Sequence, residues 1–337
     1  RGVSLSEGIA IIRSAVEEWK PHIVFNLLEE FDGVAEYDHN VVAYLELLRI
    51  PYPGCNPRGL ILARDKALSK KLLAYHRIPV PEFTVARTGR KPQLTKRMRF
   101  PLIVKSLFYE SSVGISQASV VENHDQLHRR VQFIHDSLGT AAIIEQFIDG
   151  RELYVGVLGN ERLQILPVWE MSFAHMPDNK WRIATERVKW STQYQKKHGI
   201  MTDAAALDPA TSDRIHQIAR RVYRALDLNG YARIDLRLDA NGAAWVIEAN
   251  PNPQVARAAQ EPDHGKEGEK RGRARDPWPI RIGDDRTLEV ELPFARVVED
   301  APIAAHGAFQ MPFPRLIEGL FNIVRDVLFF SPGQKTS

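Results

Sequence analysis

Residues 231–253 read YARIDLRLDANGAAWVIEANPNP, and the pairing within this stretch decides the fold. Runs at 232–238 and 243–250 predict two strands, and Asp239, Ala240, Asn241 and Gly242 supply turn chemistry between them. Side chains alternate faces along a strand. Pairing Leu238 with Ala243 sets Asp235 opposite Val246 and Arg233 opposite Glu248. One face then carries Ile234, Leu236, Leu238, Trp245 and Ile247, which is a core face; the other carries Arg233, Asp235, Glu248 and Asn250. Two carboxylates and an amide oxygen are hard ligands suited to Mg²⁺ or Mn²⁺ on nucleotide phosphates. An arginine beside them can hold an anion or a developing oxyanion. The plainer alternative is a solvated sheet face with a surface salt bridge, and a one-residue slip would scatter the four groups over both faces.

Arg-x-Asp on one strand and Glu-x-Asn-Pro-x-Pro on the next resemble the metal-binding end of the ATP-grasp superfamily, in particular its D-alanine–D-alanine ligase-like members. The resemblance implies an α+β fold, with a partial Rossmann-like N-terminal domain followed by two α+β subdomains enclosing ATP. The expected limits are 1–60 for the first domain, 61–146 for the central subdomain and 147–337 for the C-terminal one, with an atypical segment at 258–312.

Composition agrees with a globular chain of two or three domains: 337 residues, 44% hydrophobic and 26% charged. A net charge of +3 makes no electrostatic case for nucleic acid or an anionic membrane. The single cysteine, Cys55, excludes an internal disulfide and fits a reducing, cytoplasmic compartment. No apolar run reaches membrane-spanning length and no signal peptide is visible. The chain begins at Arg1 without Met, as a truncated or processed form would.

In chain order, a helix is expected over 6–18, a strand over 22–26, a helix over 39–48, and a strand and turn over 50–54. No Gly-rich fingerprint follows the first of these strands, which disfavours a nicotinamide-dependent oxidoreductase. Asn56 and Pro57 open a helix running to about His76. Within it, Asp65-Lys66-Ala67 followed by Ser69-Lys70 resembles the ATP-grasp segment whose lysine reaches the phosphates, a role assigned to Lys66; lysines on helices are otherwise usually solvated. Residues 100–105 predict a buried strand ending in Lys105, then a loop over 106–113 and a second strand from Gly114. This hairpin resembles the superfamily's phosphate-covering loop. By that resemblance Lys105 contacts the α- and β-phosphates, and N–H groups around Ser111, Ser112 and Val113 cover the β- and γ-phosphates. Glu110 stands where relatives usually carry glycine.

Asn123 caps a helix with the stripe Leu127, Val131, Ile134 and Leu138, closed by Gly139. Residues 145–153, EQFIDGREL, resemble the ATP-grasp hinge. Such a hinge offers backbone groups of Gln146, Phe147 and Ile148 to adenine, with Glu145 and Glu152 placed for the adenine amino group and ribose hydroxyls. Lys189 lies where related ligases carry a lysine on a loop closing over the γ-phosphate, and Trp190 follows where they tend to have tyrosine. A helix is expected over 208–226. Beyond Pro253 the resemblance fades: Gln254 to Arg257 replaces a glycine-containing loop, 265–275 is a charged linker, 281–291 an inserted hairpin and 314–330 a two-sided helix.

The resemblance implies an ATP-dependent ligase joining a carboxylate to an amine through an acylphosphate, with D-alanine first among substrates by kinship. Two Mg²⁺ ions would share Glu248, with Asp235 on one and Asn250 on the other. Lys66, Lys105 and Lys189 would neutralise phosphate charge, Arg233 would stabilise the tetrahedral intermediate, and the Ser112 loop would exclude water. Partners would be small-molecule carboxylate and amine substrates and, as among relatives, a second copy in a homodimer, with no nucleic acid and no membrane. A peptide-modifying or other amino-acid ligase of the same fold, and a non-catalytic ATP-binding regulator, are the alternatives.

Overall fold

A computed structural model describes residues 2–5, 8–28, 30–109, 112–253, 280–282, 288–290 and 326–330. The chain divides into two compact units, residues 1–53 with 254–337, and residues 54–253.

The first unit begins with β1 (Gly2–Ser4), α1 (Ala10–Trp19), β2 (Ile23–Asn26) and α2 (Asp38–Leu47). Lys20 ends α1 in the left-handed region, φ 44, ahead of Pro21. Helical spacing puts Ile12 and Ala15 of α1 against Val24, Leu28, Val41 and Leu45 in one apolar cluster.

The second unit contains α3 (Pro57–Arg64), α4 (Lys66–Tyr75), β3 (Phe83–Ala86), β4 (Leu102–Ser106), β5 (Val120–Val121), α5 (His124–Leu138) and β6 (Ala142–Gln146). It continues with β7 (Arg151–Leu158), β8 (Gln164–Phe173), α6 (Glu186–Trp190), α7 (Thr192–His198), β9 (Ile200–Ala204), α8 (Pro209–Ala225), β10 (Tyr231–Leu238) and β11 (Ala244–Asn250). Two antiparallel sheets result, in the orders β3-β6-β4-β5 and β11-β10-β7-β8-β9. On the first, Leu102, Val104, Ala142 and Ile144 pack against Leu127, Val131 and Ile134 of α5. The second is covered by α8, whose buried stripe is Ile215, Ile218, Ala219, Val222 and Tyr223.

Beyond residue 253, β12 (Ile280–Ile282) and β13 (Leu288–Val290) pair antiparallel, in keeping with a hairpin there. Asp326–Phe330 forms β14, which lies between β1 and β2, and not the end of a helix over 314–330. A short apolar run with valine and two phenylalanines suits either element, so periodicity alone misassigned it. Residues 314–325, Arg257, the 265–275 run and most of 258–312 lie outside the described residues.

Three further expectations are corrected. The helix over 56–76 is two helices, broken at Asp65 (ψ 100), whose carboxylate accepts from the Ala67 and Leu68 N–H groups. Aspartate satisfies orphan donors at a helix start better than it serves a helix interior. No strand starts at Gly114: Ser112 and Gly114 both have positive φ, 62 and 70, and the chain rejoins the sheet only at β5. The β10–β11 register also differs. Leu238 faces Ala244 and Leu236 faces Val246, then a bulge intervenes and Asp235 faces Glu248, with Arg233 facing Asn250. Among the described residues no helix is long and apolar enough to cross a membrane.

Replacing the Asp65 cap should cost about 1 kcal/mol. Asp65→Ala is expected to lower the urea midpoint at unchanged m-value, with Asp65→Asn losing less. Equal stability of all three proteins would show that the helix break does not depend on the cap.

Candidate active site

The site begins with the two-residue period of β10. Arg233, Asp235 and Arg237 share one face, opposite Gly156, Tyr154 and Glu152 of β7. On the other edge they face Asn250, Glu248 and Trp245 of β11. Ile234, Leu236 and Leu238 take the buried face with Ala244, Val246 and Ala249. The observed register moves both Trp245 and Ile247 off the core face on which the expected one placed them: Leu238 pairs with Ala244 and not Ala243, which turns Trp245 to the polar side, and Ile247 is the extra residue of the bulge. Trp245 lies on the polar side and its indole N–H donates to Asp239 Oδ2 at 2.9 Å, while Ile247 lines the cleft.

Arg233 clamps Asp235 with two bonds, Nε to Oδ1 at 2.7 Å and Nη2 to Oδ2 at 2.8 Å, and its guanidinium lies 5.1 Å from the Tyr154 ring centroid. Burial raises the Asp235 carboxyl above its ordinary range, and Arg233 opposes that rise. Burial would raise Glu248 too, but Lys66, Lys189, Lys105 and Arg233 outweigh it and hold this carboxyl at about 2. Asn250 Oδ1 accepts from the Asn252 N–H at 3.0 Å.

Among the described residues no group of three or more His, Cys, Asp or Glu side chains is placed to hold a metal. The candidate set is two carboxylates and an amide oxygen, and its chemistry fits a hard cation. Glu248 is anionic, and each Asp235 oxygen keeps a lone pair beyond the one given to Arg233.

The other wall comes from β4 and β6. Ile103 faces Glu145 and Lys105 faces Ile143, so Lys105 and Glu145 are diagonal neighbours. Glu145 is 1% exposed. Lys105 Nζ donates to its Oε2 at 3.0 Å, and Lys70 Nζ lies 3.4 Å from Oε1. Burial raises Glu145, but the two ammonium groups bring its carboxyl below the ordinary value. Burial lowers Lys105, yet Glu145 and Glu248 leave it raised; for Lys70, burial prevails and its ammonium is lowered. Lys70 also donates to the carbonyl of Ile247, at 2.5 Å. Sequence reasoning passed over Lys70. The signal was there: Lys66, Lys70 and Leu73 follow the helical spacing of a buried stripe, and all three are buried.

One cleft is lined by Lys105, Ser112, Glu145, Gln146, Phe147, Ile148, Glu152, Lys189, Asp235 and Glu248, with Ile103, Ile115 and Ile183 as apolar wall. Lys66, Val113, Arg233 and Asn250 do not line it. Lys66 donates to Tyr109 O at 2.8 Å and acts on Glu248 through charge; Val113 is 40% exposed. Ser111 and Glu110 lie outside the described residues. Ser112 Oγ donates to Ala184 O at 2.7 Å. The N–H groups of Gln146 and Phe147 are bound to Glu82 O and Pro101 O. Glu152 Oε1 accepts from the Tyr154 hydroxyl at 2.9 Å. Lys189 sits on the short helix α6, started by the Thr185 side chain, and not on an open loop. Its charge acts on both Glu248 and Asp235.

Residues 72–266, more than half of the chain, match the family described as the D-ala D-ala ligase C-terminus. The chain belongs to that family. The D-alanine–D-alanine ligase of Desulfotalea psychrophila is 32% identical over 224 residues, 66% of this chain and 66% of that protein. That of Desulforudis audaxviator is 30% identical over 229 residues, 67% of this chain and 70% of the relative. An uncharacterized Sinorhizobium fredii protein, y4sG, is 32% identical over 234 residues, 69% of this chain and 66% of its own length. The chain thus spans about two thirds, 66% in the first two of these matches by identity, of the curated relatives it resembles. The Bacillus anthracis D-alanine–D-alanine ligase complexed with ATP superposes with a TM-score of 0.57 at 22% identity, over 74% of each chain. The VanG D-Ala:D-Ser ligase of Enterococcus faecalis gives 0.53 at 24%, over 69% of this chain and 64% of that one. These structural likenesses establish the α+β ATP-grasp fold of the family.

Because the Glu145 carboxyl is lowered in the folded protein, it adds stability above the unfolded carboxyl range, and that stability is lost as pH falls through the folded value. Glu145→Gln leaves Lys70 and Lys105 buried without the carboxylate they pair with and should cost about 3 kcal/mol at neutral pH. The gap from wild type is expected to narrow in acid denaturation series below pH ~4. A gap independent of pH would disprove the ionic role.

Proposed function

We propose that the chain is an ATP-dependent carboxylate–amine ligase acting on amino acids. The observation that carries this reading is the single cleft that gathers Lys105 and Lys189 with Asp235 and Glu248, beside a hinge-lined apolar wall. Family membership and the likeness to ligases named for D-alanine support it. The subdomains of this reading are 61–146, which includes the four-stranded sheet, and 147–337, which includes the five-stranded one.

In this reading the adenine packs against Ile103, Phe147 and Ile183, near Ile148 backbone groups, with Glu152 at the ribose hydroxyls. Lys105 and Lys189 meet the phosphates, assisted by Lys66 and by N–H groups of the 111–113 turn. Glu248, Asp235 and Asn250 would hold divalent cations, which supply charge neutralisation and alignment of the phosphates. The substrate carboxylate attacks the γ-phosphorus, the bond to the bridging oxygen breaks, and ADP leaves. The amine then attacks the acyl carbon, loses a proton, and expels phosphate. Positioning and electrostatics do most of this work. Arg233, held by Asp235, presents its remaining donors toward the tetrahedral oxyanion, and Ser112 with its turn excludes water from the acylphosphate.

Trp190 is 55% exposed and has no acceptor oxygen, whereas the resemblance expects a tyrosine there. This favours, as a second reading, an amine substrate other than D-alanine.

Phosphate release from Mg·ATP with pools of D- and L-amino acids tests the proposal. Release is expected with an amino-acid pool and should fall at least ~100-fold in Asp235→Ala and in Lys105→Ala. Tight Mg·ATP binding with no release from any pool would overturn the ligase reading and leave a nucleotide-binding regulator.

A further inference from the structure

Arg237 was no part of the expected site, yet it is 5% exposed and lines the cleft. It stands directly opposite Glu152 in the β10–β7 pairing, with Nη1 3.5 Å from Glu152 Oε2. Nη2 donates to two carbonyls at once, Gly150 O and Arg182 O, both at 2.8 Å. The guanidinium also lies 5.3 Å from the ring centroid of Phe147, which is itself edge-on to Trp181 at 5.2 Å. One side chain therefore joins the hinge turn, the carboxylate of Glu152 and the segment that leads to Lys189.

That segment, 181–185, has no helix or strand of its own. Its backbone is held by side chains and by one neighbouring turn. Gln117 binds both backbone polar groups of Trp181, accepting from its N–H at 2.8 Å and donating to its carbonyl at 3.0 Å. Ser112 donates to Ala184 O at 2.7 Å, and the Glu186 N–H donates to Ile115 O at 3.1 Å. These ties all come from residues 112–117, beside the four-stranded sheet. Arg237 supplies the tie on the side of the five-stranded sheet. The strap thus spans the cleft, anchored on both walls, and α6 with Lys189 begins where it ends.

We propose that Arg237 is a positioning residue of the nucleotide site. It fixes the strap at Arg182 and the Glu152 carboxylate in one arrangement, so that Lys189 and Glu152 meet the nucleotide preformed. The inference rests on the nucleotide reading above. A planar fork can hold two carbonyls and a carboxylate together; a lysine ammonium has no such fixed geometry.

Four proteins test this: wild type, Arg237→Met, Arg237→Lys, and Arg182→Ala, which keeps the carbonyl. The readouts are amide hydrogen exchange over 181–189, Mg·ATP affinity, and the split of KM for ATP against kcat. Arg237→Met is expected to speed exchange in the strap at least ~10-fold and to raise the Mg·ATP Kd about 10- to 100-fold, with kcat at saturating ATP changed much less. Arg237→Lys should recover part of the affinity by pairing Glu152 but leave strap exchange fast, and Arg182→Ala should match wild type. A folded Arg237→Met protein with wild-type exchange and affinity would overturn the proposal. If Arg237→Met does not fold, Arg237→Lys carries the comparison, and wild-type exchange there would overturn it equally. Failure of wild type itself to bind Mg·ATP would sink the nucleotide reading and with it the positioning role, whatever the exchange shows.

Discussion

Strand register is the constraint on which the site depends. β10 is paired on both edges, so its alternation is fixed twice, by β7 and by β11. The β7 pairing alone would put Arg233, Asp235 and Arg237 on the polar face. It cannot bring Glu248 there. With Leu236 facing Val246, an unbulged β11 would set Ile247 opposite Asp235 and turn Glu248 to the apolar side under α8. The bulge removes that conflict by letting one extra residue pass. It is held from outside the sheet: Lys70 donates to the Ile247 carbonyl, and the Val246 N–H binds Pro79 O. Lys70 of α4 and Pro79 thus help set the geometry of a carboxylate far from both in the sequence.

Charge then explains why Lys70 and Lys105 tolerate burial. Glu145 serves both, one ammonium on each oxygen. A buried pair of this kind stabilises little against an apolar replacement, but losing its shared member leaves like charges facing each other. The consequence for function is an imbalance. One carboxylate answers two lysines, while Lys66, Lys105, Lys189 and Arg233 together hold Glu248 ionised at about 2. Such a cleft has cationic character left over, which complements a polyphosphate carrying its own divalent cations.

Most elements of the second unit were legible because they carry local signals: the Asn56, Asn123 and Asp208 caps, the Gly139 stop, and the hairpin turn at 239–242. The hinge and the Arg-x-Asp strand were legible as motifs. What escaped reading was whatever depends on non-local contact. The bulge has no sequence mark, since pairing Leu238 with Ala243 also puts Glu248 on the polar face, with no bulge needed. Asp65 ended one helix and began another inside a continuous apolar pattern. Lys70 and Arg237 look like solvated cations until tertiary structure supplies Glu145, Glu152 and the carbonyls they bind. β14 was misread because its partners, β1 and β2, lie some three hundred positions away in sequence.

The Ser112 turn and the Lys189 segment were expected as separate devices, one covering phosphates and the other a loop closing over them. The bond from Ser112 Oγ to Ala184 O makes them parts of one closure. A hydroxyl donating to that carbonyl spends its single proton there and remains an acceptor. Ser112 can therefore meet a donor on a ligand while keeping its bond to Ala184 O, but cannot donate to one without giving that bond up. The bond to Ala184 O and donation by Ser112 to a ligand are thus alternatives. The strap keeps its other ties, from Gln117, Ile115 and Arg237, so this exchange concerns one of several bonds that hold it beside the lysine helix.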